Sequence, residues 1–291
     1  MCNPRCIPAT EQPTFNVPVT YRDLDYGHQD FQRYIQKPAF RQQPVFSPVP
    51  VTGIVASTLP PSGKPVCVYD PPADPRLAFL SNCSGFNDWF NDVPSSNTSV
   101  GCFSAEATNA LAQVGEICRS GNVRIDDSLL LRRNSRGNFE FTTNNYFPLN
   151  GRGFNDKIAR SFWATTNRDP QFFENNYLFT SEISVNFTYQ GGEVFTFQGD
   201  DDVWVYINNQ LAVDLGGVHP NLESSVNLDE FASIHGLQIG NTYPLHLFHA
   251  ERQVTASTFR IETSLCIVDE CPERCPGFER SDPFFDFGGL A

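Results

Sequence analysis

The sequence has little charge and almost no methionine: 18% of its 291 residues are charged and Met occurs once. Long amphipathic helices draw on Leu, Ala, Glu and Lys, so little helix is expected. No apolar run reaches the roughly 18 residues that would cross a bilayer as a helix, so no membrane insertion is expected. Lys and Arg (20) are outnumbered by Asp and Glu (33), and the surplus of 13 negative charges opposes nucleic acid and anionic membranes as partners. The same surplus suits a cation such as Ca²⁺. Catalytic signatures are missing too. There is no GxSxG and no HExxH. CxxxC occurs at Cys2/Cys6 and Cys271/Cys275, but no His pair follows at zinc-ligand spacing. No internal repeat is evident. The opening MCNPRCIPATEQ lacks the apolar region of a signal peptide.

What the chain does have is Phe (26), Pro (22), Gly (20) and nine Cys. With Val, Thr and Asn this is the composition of strands joined by many turns. Nine Cys and three N-x-[ST] sequons, at Asn82, Asn97 and Asn186, indicate an extracellular setting. The missing leader conflicts with that setting. A fragment of a longer secreted chain or an incomplete gene start is favoured over leaderless export of the kind virion proteins use. Disulfides are the better reading of the Cys residues. Cys102–Cys118 is the first candidate pair by proximity and Cys67–Cys83 the second, and Cys266, Cys271 and Cys275 are further candidates in the tail.

Along the chain, residues 1–18 read as an irregular Cys-containing arm. Ten Pro between Pro38 and Pro75 predict extended wrapping instead of packed helix. Short helices are expected at Gly85–Asp92, where Phe86, Trp89 and Phe90 share one face, and at Ser104–Arg119. Strict alternation marks Glu182–Gln190, with the sequon Asn186 on the polar side, where a glycan could sit. Val194–Gln198 follows the Gly191-Gly192 turn. Val203–Ile207 and Leu211–Leu215 flank Asn208-Asn209, a pair suited to a two-residue hairpin turn. Val203, Val205 and Ile207 share one face and Trp204 and Tyr206 the other, so this strand should be buried on both sides. Tyr243–His249 and Phe259–Leu265 alternate likewise. Residues 266–291 form a Cys-rich tail.

Three constellations could carry chemistry. Asp200, Asp201 and Asp202 sit between two apolar strands. Adjacent carboxylates repel, and a hard cation with oxygen ligands would relieve them; a solvated acidic turn is the plain alternative. His249, Glu251 and Arg252 follow a strand; His249 and Glu251 read as a metal or acid–base site, or else Arg252 and Glu251 as a salt bridge at a strand end. Asp214, the Gly216-Gly217 pair and His219 read either as a ligand-approach site or as a tight turn.

Several segments together resemble the fibro-slime domain, a branch of the PA14 β-sandwich superfamily found in slime-mould secreted and prespore-inducing proteins and in bacterial surface proteins. They include VTYRDLDYGHQDFQ (19–32), FNDWFNDVP (86–94), YFPLNGRGF (146–154) and FTYQGGEVFTFQGDDDVWVYINNQLAVDLGGVH (187–219), followed by GNTYPLHLFHAER and FRIETSL (240–265). The turn is Asn208-Asn209 where the family usually has Asn-Gly, and residues 100–130 read as an insertion. The resemblance implies an all-β fold: an antiparallel PA14-like sandwich over residues 19–265, with a Pro-rich N-terminal wrap and short helices. It implies a noncatalytic extracellular or cell-surface module for carbohydrate recognition or adhesion, with a glycan or surface polysaccharide as partner. In PA14-type yeast adhesins two adjacent Asp joined by a cis peptide hold Ca²⁺. By position these are Asp200 and Asp201, with a second loop, here Glu251–Ser257, completing the shell. Asp202, Asp214, His219, His249, Glu251 and Arg252 are the accompanying ligand-binding candidates. The alternatives are a structural assembly module packing against neighbouring copies or other surface proteins, and a glycoside hydrolase using paired carboxylates.

Overall fold

The computed structural model describes residues 13–24, 28, 30–31, 47–70, 80, 83–94, 96–97, 119–154, 175–252 and 256–268. The elements in chain order are β1 (Thr14–Leu24), α1 (Asn87–Phe90), β2 (Ser96–Asn97), β3 (Arg119–Ser120), β4 (Asn122–Arg133), β5 (Phe139–Thr143), β6 (Phe179–Thr188), β7 (Val194–Gly199), β8 (Asp202–Ile207), β9 (Gln210–Leu215), β10 (Leu222–Asn227), α2 (Leu228–His235), β11 (Thr242–Glu251), β12 (Phe259–Thr263) and β13 (Cys266–Val268). The large sheet runs β10-β7-β12-β5-β4-β1-β6-β11-β8-β9, with every pairing antiparallel. Its middle is narrow. β4 and β5 pair only through Arg132↔Glu140 and Arg133↔Phe139, so the sheet folds there into two layers. β1 covers the first half of β6, and β13 takes the same side of β6 over Asn186–Thr188.

Period two in the sequence becomes two apolar faces in space. Val203, Val205 and Ile207 of β8 and Leu245 and Leu247 of β11 face Phe195, Phe197, Phe259 and Ile261 of the opposite layer, forming the main core. Trp204, Tyr206, Phe248 and Ala250 point the other way into a second core, with Ile54, Val55, Phe86, Trp89 and Phe90. All six residues of β8 are buried, as its two apolar faces predict.

The Pro-rich segment supplies the cover. Residues 47–70 run as extended chain along β9, with Val51 N donating to Gly216 O, Leu59 N to Asn209 O and Leu211 N to Ser57 O. The Tyr206 hydroxyl donates to Ala56 O at 2.8 Å. A Cβ on Gly216 would lie 2.5 Å from Val51 O, so Gly216 is what lets the wrap close on the sheet. A disulfide between Cys67 and Cys83 ties the wrap to the segment carrying α1, which bears out that predicted pair. Cys266 is also disulfide-bonded. Cys102, Cys118, Cys271 and Cys275 lie outside the described residues, as do Asn82 and all of the expected helix Ser104–Arg119 except Arg119, which opens β3.

The hairpin turn is as predicted, with Asn208 and Asn209 at φ of 50° and 61°. Four expectations change. The helix at Gly85–Asp92 is the single turn Asn87–Phe90, with Trp89 and Phe90 buried. Residues 119–120 and 122–130, at the end of the stretch read as an insertion, belong to β3 and β4, because β4 pairs with β1 over its whole length. β1 begins at Thr14, inside the segment read as an irregular arm, and β13 continues past Leu265. Asn186 is half-buried, paired with Pro244 of β11 and Val268 of β13.

Candidate functional site

Asp200, Asp201 and Asp202 lie where β7 passes into β8, and all three are buried. The peptide between Asp200 and Asp201 is trans, in contrast to the cis bond implied by the resemblance; among the described residues none is cis. Asp201 instead takes φ of +57°, a left-handed turn that Asp tolerates better than most residues. The turn spreads the three carboxylates onto three segments. Asp200 Oδ1 accepts from Thr258 N at 2.6 Å. Asp201 Oδ2 accepts from Arg252 N at 2.8 Å. Asp202 Oδ1 accepts from Gly217 N at 2.6 Å, and its Oδ2 accepts from Arg252 Nε at 2.6 Å. The acidic run therefore clasps the ends of β9, β11 and β12 together.

Arg252 is the cationic centre of this clasp. It is fully buried, its Nη1 donates to Asp30 O at 3.2 Å, and its guanidinium lies 4.9 Å from the Trp89 ring centre. The salt bridge of Arg252 is made with Asp202, where the sequence pointed to Glu251. Burial pushes the Asp201 carboxyl up to about 8, with Asp202 and Asp200 adding to the rise and Arg252 opposing it. Burial also raises Asp200, against the Thr258 hydrogen bond. Hydrogen bonds to a carboxylate lower its pKa, but desolvation outweighs them here.

The other candidates fall into two groups. His249 and Glu251 point into the sandwich at the same end, both buried. The His249 ring packs among Tyr146, Phe179 and Phe259 at 5.3–6.0 Å. Burial pushes it down to about 3, against the pull of the Asp200 backbone. A neutral ring in an aromatic cage is a poor acid at neutral pH. Asp214 and His219 have structural partners. Asp214 accepts from Trp204 Nε1 at 3.0 Å and from Gly53 N at 2.8 Å, which locks the wrap onto β9. His219 bridges Pro220 O and Leu215 O at 2.8 and 3.3 Å. The backbone that the Gly216-Gly217 turn admits is the chain's own wrap.

A polar knot that the sequence reading missed lies beside the clasp. Buried Asp23 accepts from Phe154 N and from Asn176 Nδ2, and Asn176 Oδ1 accepts from Leu178 N. Gly153, at φ of +68°, passes so close that a Cβ would lie 2.2 Å from Asp23 Oδ2. The signal was present in NGRGF, where two glycines flank one residue, but it pointed to a turn and not to its acidic partner.

As to metal chemistry, the donors at the clasp are carboxylate oxygens, which fit a hard divalent cation and not zinc. Asp202 is spent, since both its oxygens are held by Gly217 and Arg252. Asp200 and Asp201 are the pair left to hold an ion. Among the described residues no group of three or more His, Cys, Asp or Glu is disposed around one point. An ion here would therefore take its other ligands from backbone carbonyls, water or hydroxyls. Residues 253–255 of the expected second loop lie outside the described residues.

The structure is thus an antiparallel sandwich with a buried acidic junction between two strands. The chain is a PA14-domain protein: residues 135–273 match the family model for the PA14 domain. It is 31% identical to protein psiD of Dictyostelium discoideum over 227 residues, covering 77% of this chain and 38% of psiD. It is 43% identical to psiB of the same organism over 138 residues, covering 47% of this chain and 23% of psiB. The chain thus spans less than two-fifths of the length of either curated relative. Among solved structures, a PA14 sugar-binding domain from an RTX adhesin aligns at 16% identity over 44% of this chain and 70% of that one, with a TM-score of 0.25. No helix among the described residues is long and apolar enough to cross a membrane.

Proposed function

We propose that this chain is a noncatalytic module for carbohydrate recognition or adhesion, acting outside the cell or at its surface, with Ca²⁺ held by Asp200 and Asp201. The observation that carries the reading is the burial of these two carboxylates at a strand junction inside the matched PA14 segment, where Asp201 is raised to about 8. A divalent ion would offset that desolvation, and its open coordination positions would take sugar hydroxyls. The paired roles of Asp202 with Arg252 and of Asp214 with Trp204 support a scaffold that fixes this junction instead of reacting at it. The neutral, caged His249 argues against a general acid there.

A glycan array probed with the full chain in calcium and in EGTA tests the reading. The expected result is a set of hits that vanish in EGTA and in Asp201→Asn. Hits indifferent to EGTA would remove the metal from the reading. Silence in both conditions would favour a structural assembly role, and release of shortened glycans would establish catalysis.

A further inference from the structure

The narrow β4–β5 junction leaves a groove where the two layers part. Its cavity is about 430 Å³, lined by Leu130, Arg132 and Arg133 of β4 and Glu140, Phe141 and Thr142 of β5, with Asn134 at the turn. That volume falls in the range of small-ligand pockets. Charge in and around the groove is largely neutralised. Glu140 is held by Arg260 at 2.9 Å, and Glu262 is bound by both Arg136 and Arg260. Arg133 stacks 4.0 Å over the Phe139 ring and donates to Gly137 O. Arg132 is exposed and pairs with no carboxylate among the described residues. Phe141, which also lines the groove, is fixed edge-on by Tyr146 and Phe259, at 6.2 and 6.1 Å, and Leu130 is 37% exposed.

A guanidinium free of an ion pair among the described residues and a rigid aromatic ring lining one groove match a planar carboxylate carried on a ring with apolar C–H faces. We infer that this groove is a second binding subsite, separate from the acidic junction, that takes a carboxylate-bearing sugar residue. Arg132 forks onto the carboxylate, Phe141 and Leu130 stack the ring, and Thr142 meets a hydroxyl. An acidic peptide fits worse, because it offers no flat C–H face to the apolar lining of Phe141 and Leu130. The choice of a saccharide rests on the carbohydrate reading above, but the subsite needs no calcium.

The test is calorimetric titration of the full chain in EGTA with trigalacturonate, with neutral trigalactose and with a triglutamate peptide. Trigalacturonate should bind, with affinity falling as salt rises. Neither other probe should match it. Arg132→Gln, at an exposed position, should keep the melting temperature and weaken trigalacturonate binding at least tenfold. The inference is overturned by no trigalacturonate binding, by equal binding of trigalactose or of triglutamate, or by an Arg132→Gln variant that binds as before. Calcium-dependent binding of neutral glycans, read separately after restoring the ion, belongs to the acidic junction and does not bear on Arg132.

Discussion

Replacing Arg252 with Met removes the one guanidinium that the acidic run is built around while keeping much of the side chain's apolar length. Three contacts go together: the bond to Asp202 Oδ2 at 2.6 Å, the bond to Asp30 O at 3.2 Å and the stacking on Trp89. Asp202 has no solvent exposure to fall back on and would retain only the Gly217 N–H. Asp201 would also lose the nearest charge that opposes its desolvation. Breaking a buried ion pair from one side costs about 3–5 kcal/mol. For a domain of this size that corresponds to a fall in Tm of roughly 6–20 °C. The assay is urea unfolding followed by tryptophan fluorescence, in EGTA, since Trp89 and Trp204 both lie in the second core. Asp202→Asn keeps one oxygen for either Gly217 N or Arg252 Nε and turns a donating amide toward the other, so breaking the pair from this side should cost a loss of the same order as Arg252→Met. A loss below about 1 kcal/mol for Arg252→Met would refute the view that the guanidinium holds this end together.

Joint replacement of Cys67 and Cys83 by Ser opens a bridge between residues 16 apart, and loop-closure entropy sets the expected loss in urea unfolding at about 3 kcal/mol. An unchanged midpoint would mean that the wrap is held by its backbone bonds alone. The folded Asp201 carboxyl sits near 8, above its unfolded value, so the folded state keeps a proton that the unfolded state has shed. That contribution is full below the unfolded pKa and is lost as pH rises towards and through 8. In EGTA, Asp201→Asn should therefore become steadily more stable relative to the parent from pH 5 to pH 8, and a flat difference would exclude this origin. Gly153→Ala meets both a positive φ and Asp23 Oδ2, whereas Gly137→Ala meets only a positive φ of 84° with open space around it. The first should be clearly more destabilising than the roughly 1 kcal/mol expected of the second, as thermal melts of the two would show.

The second half of the chain was legible because its strands alternate cleanly and its turns carry Gly or Asn. β8 could be placed as buried on both faces from Trp204 and Tyr206 alone, and the wrap that buries them was visible as a run of Pro. β4 was not legible. Its exposed Arg124, Asp126, Asp127 and Ser128 break the apolar alternation, so most of a 12-residue strand read as part of an insertion. At the junction, the sequence located the carboxylates but not their partners. Arg252 reaches Asp30 across 222 positions and stacks on a Trp in a different element, which no local spacing can encode. The left-handed Asp201 was equally hidden, because its sequence neighbours are themselves Asp.

The strand order has a consequence for how this protein can be divided. β1 lies between β4 and β6: Thr14–Leu24 pair with β4, and Val19–Asp23 pair with β6 as well. A proteolytic or recombinant piece holding only residues 135–273 would lack β1 and β4. It would leave one edge of β6 bare over Phe179–Ile183 and strip the aromatic cover from Trp204, Tyr206 and Phe248. Such a piece carries the family's signature yet has an open edge and an open apolar face, the two features that lead to aggregation. The smallest self-sufficient unit must therefore reach back to Thr14, and cutting the chain between the wrap and the sandwich should yield two fragments that stay associated or precipitate apart.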